Sequence, residues 1–343
     1  MTRYKAPSLT QWKQLYEAVV AFKATKCWEW MYDDDVFGVK DPKTGEIAYC
    51  CILGNAGQQF GIATYLGQEG LKFLLDLLFG DSDPDDVNVF MQKSLVCYLV
   101  DREELHSQDL NIIKEVGIKF RGKKQWPLLR SYEPGMVPWY LNAEQCRFFT
   151  HILYQAIDVV MRCKENKDIL MSDSALTFLV RVAKTDADQN LIWEDQYITV
   201  EPPANDFISF NLKDQTLLHK LKMLKKQPTL VLEADTFSFP AAVGEKGERP
   251  YFPTAAILVD HKTGLILSYN MFTNIRHEGY KAIEMLIDFI MKNNALPSEL
   301  LVQNDECYYL FKDLCQQLDI ELKIAARLKN VESVKKEMKR YMK

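Results

Sequence analysis

The stretch that decides the fold reads TLVLEADTFSFPA at 229–241, TAAILVDHKTGLILSYNMF at 254–272 and RHEGYKAIEMLIDFIMKNNALPSELLVQNDECYYLFKDLCQQLDIELKIA at 276–325. An apolar strand ends on Glu233-Ala-Asp235, and a hairpin turns at Asp260-His-Lys-Thr-Gly264. Apolar residues then recur at helical spacing, and a second apolar strand ends on Gln303-Asn-Asp305 before another helix. Strands and helices alternate here within one unit, which predicts a sheet flanked by helices.

Working outward, the chain has 343 residues, more than one core comfortably accommodates, so two domains are expected: 1–165 and 166–343. Apolar residues make up 48% of it and aromatics 12%, which excludes a disordered chain. A net charge of −5 supplies no global attraction to nucleic acid or anionic membrane. The eight cysteines form no CxxC pair, so they read as reduced, buried thiols rather than a zinc or redox motif. Cys50 and Cys51 adjoin in one apolar strand and should face opposite sides of its sheet. No apolar run reaches spanning length, and the N-terminal residues lack a signal-peptide core. A cytoplasmic protein with no membrane association is the expectation.

In the first half, Trp12, Leu15, Tyr16, Val19 and Phe22 predict a helix capped by Ser8. Strands are expected at 36–40, 47–53, 60–66, 94–100 and 118–120, with helices at 68–79, 107–116 and 142–163. The segment 80–86 reads as a polar loop, and 121–142 as an irregular, locally basic surface segment. A hairpin is expected over 178–183 and 191–200, a strand over 207–212, and a short basic helix up to 226.

The two halves share a pattern. Asp41-Pro-Lys-Thr-Gly-Glu-Ile47 parallels Asp260-His-Lys-Thr-Gly-Leu-Ile266, and each passage leads through helix, strand ending on an acid (Asp101, Asp305), helix and strand. The repeat suggests a divergent tandem of like units; the alternative is that D-x-K-T-G is simply a good hairpin turn, with glycine supplying positive φ.

Two acids at strand ends raise a metal site. The C-terminal half resembles the layout of RNase H-like and integrase-core domains, in which one Asp lies on the first strand, another follows the fourth, and a third acid sits on a later helix. That resemblance implies Asp235 and Asp305 as metal ligands, with Glu332 or Glu337 of the last helix completing a catalytic set. Hard Mg²⁺ or Mn²⁺ takes such oxygen ligands. It departs from the layout in the short interval between Asp305 and Glu332. The competing reading is that these acids cap strands or helices.

No GxSxG, phosphate loop, GxGxxG or HExxH occurs, so no other catalytic signature is present, and His261 and His277 read as surface or capping residues. The basic helix at 321–343 and KFRGKKQW at 119–126 are either solvated faces or phosphate-tracking patches, with Trp126 able to stack on a base. Finally, CWEWMYDDDVFGVKDPKTGEIAYCCILGNAGQQFGIATYLGQEGL, together with LVLEADTFSFPA and AAILVDHKTGLIL, resembles an uncharacterised bacterial family of two fused domains of unknown function. The family implies no catalytic residues. The expected fold is α+β, two domains each with a mixed sheet flanked by helices, as divergent tandem RNase H-like units. The expected function is a non-catalytic module binding a protein or nucleic acid through surfaces such as Trp126 and Trp139. The alternative is a metal-dependent nuclease, or its inactive relic, using Asp235, Asp305 and Glu332.

Overall fold

The computed structural model describes residues 4–80, 89–172, 174, 176–188, 190–201, 207–239, 241–245, 247–273 and 275–341. The polar loop expected at 80–86 falls largely outside them. The chain divides into two compact units, Met1–Pro134 with Pro138–Pro203, and Gly135–Val137 with Ala204–Lys343.

The first unit opens with α1 (Leu9–Thr25), whose Ser8 and Gln11 form a reciprocal capping box. Its predicted apolar stripe is the buried one. There follow β1 (Phe37–Lys40), β2 (Ile47–Leu53), β3 (Phe60–Leu66), α2 (Gly67–Phe79), β4 (Ser94–Val100), α3 (Ser107–Val116), β5 (Trp126–Tyr132), α4 (Ala143–Glu165), β6 (Thr177–Thr185) and β7 (Leu191–Thr199). The sheet order is β5-β4-β3-β2-β1-β6-β7. Every pairing is antiparallel except β1 with β6. Side chains of α1, α3 and α4 build the core on one face, with Cys50 and Ile62 from the sheet. Leu71 and Leu74 of α2 cover the other face, against Tyr49, Cys51 and Val96. The adjacent thiols therefore do face opposite layers.

Three sequence expectations are corrected in this unit. Residues 118–120 form no strand; the fifth strand is β5, inside the segment expected to be irregular. Pro127 disguised it, yet proline is tolerated because β5 lies at the sheet edge. The boundary expected at 165/166 precedes the β6–β7 hairpin, which completes this first sheet by pairing β6 with β1.

The second unit contains α5 (Gln215–Lys222), β8 (Lys225–Ser238), β9 (Thr254–Asp260), β10 (Ile266–Phe272), α6 (Ile275–Glu278), α7 (Tyr280–Asn293), β11 (Ala295–Val302), α8 (Asp305–Leu318), β12 (Glu321–Ile324) and α9 (Lys329–Tyr341). Residues 207–212 form no strand; Phe210 and Leu212 pack as loop residues on the core. The sheet order is β10-β9-β8-β11-β12. Strands β8, β9 and β10 form an antiparallel meander, and β11 and β12 run parallel to β8. This is the RNase H-like winding expected from the sequence. Helices α5, α7 and α8 cover one face, while Leu328 and Val331 of the α9 region pack against Ile257 and Val259 on the other.

Two prolines, Pro228 and Pro297, sit in the central pairing of β8 with β11. They are accommodated where the register shifts, between Pro297 and Glu299. Ser298 Oγ fills the gap, 3.0 Å from the Pro228 carbonyl and 3.1 Å from that of Leu230. The tandem repeat survives in the turns but not in the winding. In both D-x-K-T-G turns the glycine amide donates to the aspartate carbonyl, at 2.9 Å for Asp41 and 2.8 Å for Asp260. Beyond the turns the halves diverge: β4 adds antiparallel to β3, whereas β11 adds parallel to β8.

Candidate functional site

Alternation along β8 sends Leu232 and Ala234 into the core under α7 and α8, and sends Glu233 and Asp235 to the opposite face, beneath α9. Both acids are buried, Glu233 at 1% and Asp235 at 2% exposure. A carboxylate withdrawn from water must find donors on every side. Each acid does so, in a different way.

Glu233 holds the start of α9. Its Oε2 accepts the backbone amide of Val331 at 3.2 Å, and its Oε1 accepts Asn330 Nδ2 at 3.0 Å and lies 2.7 Å from His261 Nδ1. A negative charge at a helix N-terminus is favoured by the unpaired amides there. Asn330 Nδ2 also donates to the His261 carbonyl at 2.9 Å, tying the β9–β10 turn to the same helix.

Asp235 lies one pleat further on. Its Oδ2 accepts the Lys335 ammonium, and its Oδ1 accepts the Thr236 amide at 2.8 Å. The Cys307 thiol donates to the same oxygen at 3.5 Å. Burial, reinforced by the Asp235 carboxylate, pushes that thiol up to about 12, so it remains a protonated donor. The Lys335 ammonium also sits 4.9 Å over the Phe237 ring, which adds a cation–π contact.

The other acids singled out from the sequence lie elsewhere. Asp305 is the first residue of α8 and is exposed; the cap itself is Asn304, whose Oδ1 accepts the Cys307 amide at 2.9 Å. Glu332 accepts Arg327 Nε at 2.7 Å, a bond that holds its carboxyl below the ordinary range. Glu337 is exposed on α9. Among the described residues no three His, Cys, Asp or Glu side chains are grouped to hold a metal ion. Asp235, Asp305 and Glu332 as arranged therefore do not fit a two-ion donor set: one is occupied by an ammonium, one by a guanidinium, and one faces solvent.

Sequence reasoning missed Lys335, Asn330 and the role of Glu233. The i, i+2 spacing of Glu233 and Asp235 within a strand is the signal that could have placed both on one face. Nothing local pointed to Lys335, which meets Asp235 across 100 positions of chain. Of the tryptophans proposed as surface anchors, Trp126 packs 6.1 Å from Phe120 with the Arg102 guanidinium 5.6 Å over its ring. Trp139 pairs its backbone with Ser131.

The fold and this face define an α+β protein whose second unit has an RNase H-like sheet with its acid-bearing face covered by a helix. Residues 12–181 match a domain of unknown function (DUF7309), and residues 217–339 match another (DUF6930). No match was found among curated proteins. Among solved structures, the chain is similar to the HTLV-2 integrase catalytic core domain in complex with magnesium, at 15% identity and a TM-score of 0.24, over 32% of this chain and 67% of that one. It is also similar to the catalytic core domain of BIV integrase, at 13% identity and a TM-score of 0.24, over 33% and 65% of the two chains. A third similarity, to the simian T-cell lymphotropic virus intasome, has 16% identity and a TM-score of 0.24 over 33% and 40%. Among the described residues no helix is long and apolar enough to cross a membrane.

Proposed function

We propose that this chain is a non-catalytic binding protein in which the second unit keeps an RNase H-like sheet while its own last helix closes the acid-bearing face. The ion pair between Lys335 and buried Asp235 carries this reading. Two-ion phosphoryl transfer needs carboxylate oxygens converging on metals about 3.5–4 Å apart. Here an ammonium takes the open side of Asp235, and neighbouring Glu233 directs its oxygens to His261, Asn330 and the Val331 amide. The pair neutralises the strand acid with a residue of the same chain, so α9 docks where a metal-bound substrate would otherwise approach. A closed unit of this kind serves as a scaffold for binding a protein or nucleic acid.

The test is incubation of the full chain with single- and double-stranded DNA and RNA in Mg²⁺ or Mn²⁺. The expected result is no cleavage above that given by the Asp235→Asn variant. Cleavage that disappears in Asp235→Asn would overturn the reading in favour of a metal-dependent nuclease using Asp235, Asp305 and Glu332.

A further inference from the structure

An open cleft of about 490 Å³ lies in the first unit, lined by Lys26, Trp28, Phe60, Asp101, Lys123 and Lys124 among others. That volume lies within the range of small-ligand sites. Its floor is aromatic: Trp28 and Phe60 stand 5.3 Å apart, ring centre to ring centre, inclined at 58°. The turn after β2 is shaped to them. Gly54 has a φ of +130°, and a Cβ there would come within 2.6 Å of Phe60 and 2.9 Å of Trp28.

The rim carries three lysines, Lys26, Lys123 and Lys124, against two acids, Glu29 and Asp101, and is partly pre-positioned. Lys124 Nζ donates to the carbonyls of Gln58 at 2.9 Å and Gly57 at 3.3 Å, and stands 5.3 Å over the Phe60 ring. The Lys124 amide donates to Asp101 Oδ1 at 2.6 Å, which fixes the loop from the backbone side and engages one of the two acids lining the cleft, the other being exposed Glu29. Lys26 and Lys123 are exposed, and neither forms an ion pair among the described residues. Exposed Lys119 and Arg121 lie on the same loop as Lys123. A chain of net charge −5 thus concentrates unpaired cations beside aromatic rings.

We infer that this cleft binds a nucleotide unit of single-stranded nucleic acid, with phosphate at Lys26 and Lys123 and the base against Trp28. Lysines neutralise the backbone without reading sequence, and aromatic rings accept any base by stacking. The inference rests on the binding-protein reading but uses a different unit of the chain. Pocket variants and the Asp235→Asn cleavage assay therefore fail independently.

The experiment is fluorescence anisotropy of labelled oligo-dT and oligo-rU with the full chain, alongside mononucleotide and inorganic polyphosphate competitors. Lys26→Glu/Lys123→Glu, at exposed positions that leave the core intact, should weaken oligonucleotide binding at least about 10-fold. Replacing both lysines by Gln should lower the slope of log K against log salt by about 1.4, since each contact to a single strand contributes about 0.7. Competition by mononucleotide as strong as by oligomer, per nucleotide, would keep the base-and-phosphate chemistry and assign the site to a free nucleotide. Binding that is absent at low salt, unchanged in the double Glu variant, or matched by polyphosphate would overturn the proposal.

Discussion

Lys335 on α9 donates to Asp235 on β8, the lysine side chain 29% exposed and the carboxylate 1%. The pair is therefore asymmetric: the cation keeps a path to water, and the anion has none. Four residues earlier on the same helix, the Val331 amide is held by Glu233. Successive turns of α9 are thus tied to alternate residues of one strand, around an apolar contact of Leu328 and Val331 with Ile257 and Val259. The helix is fastened by charge and by burial together.

Removing only the cation should accordingly be worse than removing both partners. Lys335→Met leaves Asp235 buried without its counter-charge and should destabilise the second unit by roughly 2–4 kcal/mol, the lower part of that range reflecting the lysine's access to water. Asp235→Asn with Lys335→Met should recover more than half of that loss. Urea unfolding of the two single variants and the double variant gives the coupling directly. A coupling energy near zero would mean that the pair does not hold α9.

Gly61, on β3, marks a close approach in the first sheet. Its φ is +147°, and a Cβ there would come within 2.0 Å of the Cys97 carbonyl oxygen on β4. Neither a backbone carbonyl nor the strand behind it can yield by that distance. Gly61→Ala should cost on the order of 3 kcal/mol or more, or prevent folding. Gly57→Ala, where nothing lies within 4 Å but φ is +76°, should cost only about 1 kcal/mol. Thermal unfolding of the two variants compares close approach with backbone strain alone.

What was legible in the sequence follows the range of the interactions concerned. The stripe of α1, the two D-x-K-T-G turns and the opposed faces of Cys50 and Cys51 depend on neighbours a few residues apart, and all are where periodicity and turn chemistry put them. Strand β5 was obscured because Pro127 and flanking lysines resemble a loop until the edge position is known. The pairing of β1 with β6 joins residues 38 and 180, and no local pattern encodes it. The same holds for the site. Asp235 was singled out as a strand-end acid, but the lysine that defines its chemistry arrives from the far end of the unit.

The buried ion pair of the first unit provides a contrast with Lys335. Arg130 on β5 donates from both terminal nitrogens to Asp109 on α3, at 2.7 Å each, with side chains 7% and 5% exposed. Tyr140 stacks 4.7 Å from the guanidinium. A lysine retains the charge but cannot form the fork or the stack. Arg130→Lys should therefore destabilise by roughly 2–3 kcal/mol, against a smaller loss for a conservative change at the half-exposed Arg162. Arg162 also forks onto its acid, Asp195, at 2.6 and 3.1 Å but at the surface, so equal losses at the two sites, measured by denaturant unfolding, would refute the role given to burial and to the Tyr140 ring.

Asp41 adds a dependence on pH. Burial alone would raise its carboxyl. Arg147 Nη1 and Nη2 at 2.9 and 2.7 Å, the Lys43 amide at 3.1 Å and the Thr44 hydroxyl at 3.0 Å outweigh that and hold it below 3.8. Because the folded pKa lies below the unfolded one, the unfolded chain binds the proton more readily. The contribution is complete above the unfolded pKa of about 3.9 and is lost as pH falls through the lower folded value. Asp41→Asn should be destabilised by about 1–2 kcal/mol at neutral pH, where a charge-assisted hydrogen bond is lost. The gap from wild type should close as the pH falls below about 4. Unfolding curves for the two proteins across the acid range check this, and a gap that persists unchanged at the acid end would show that the carboxylate charge is not what Arg147 holds.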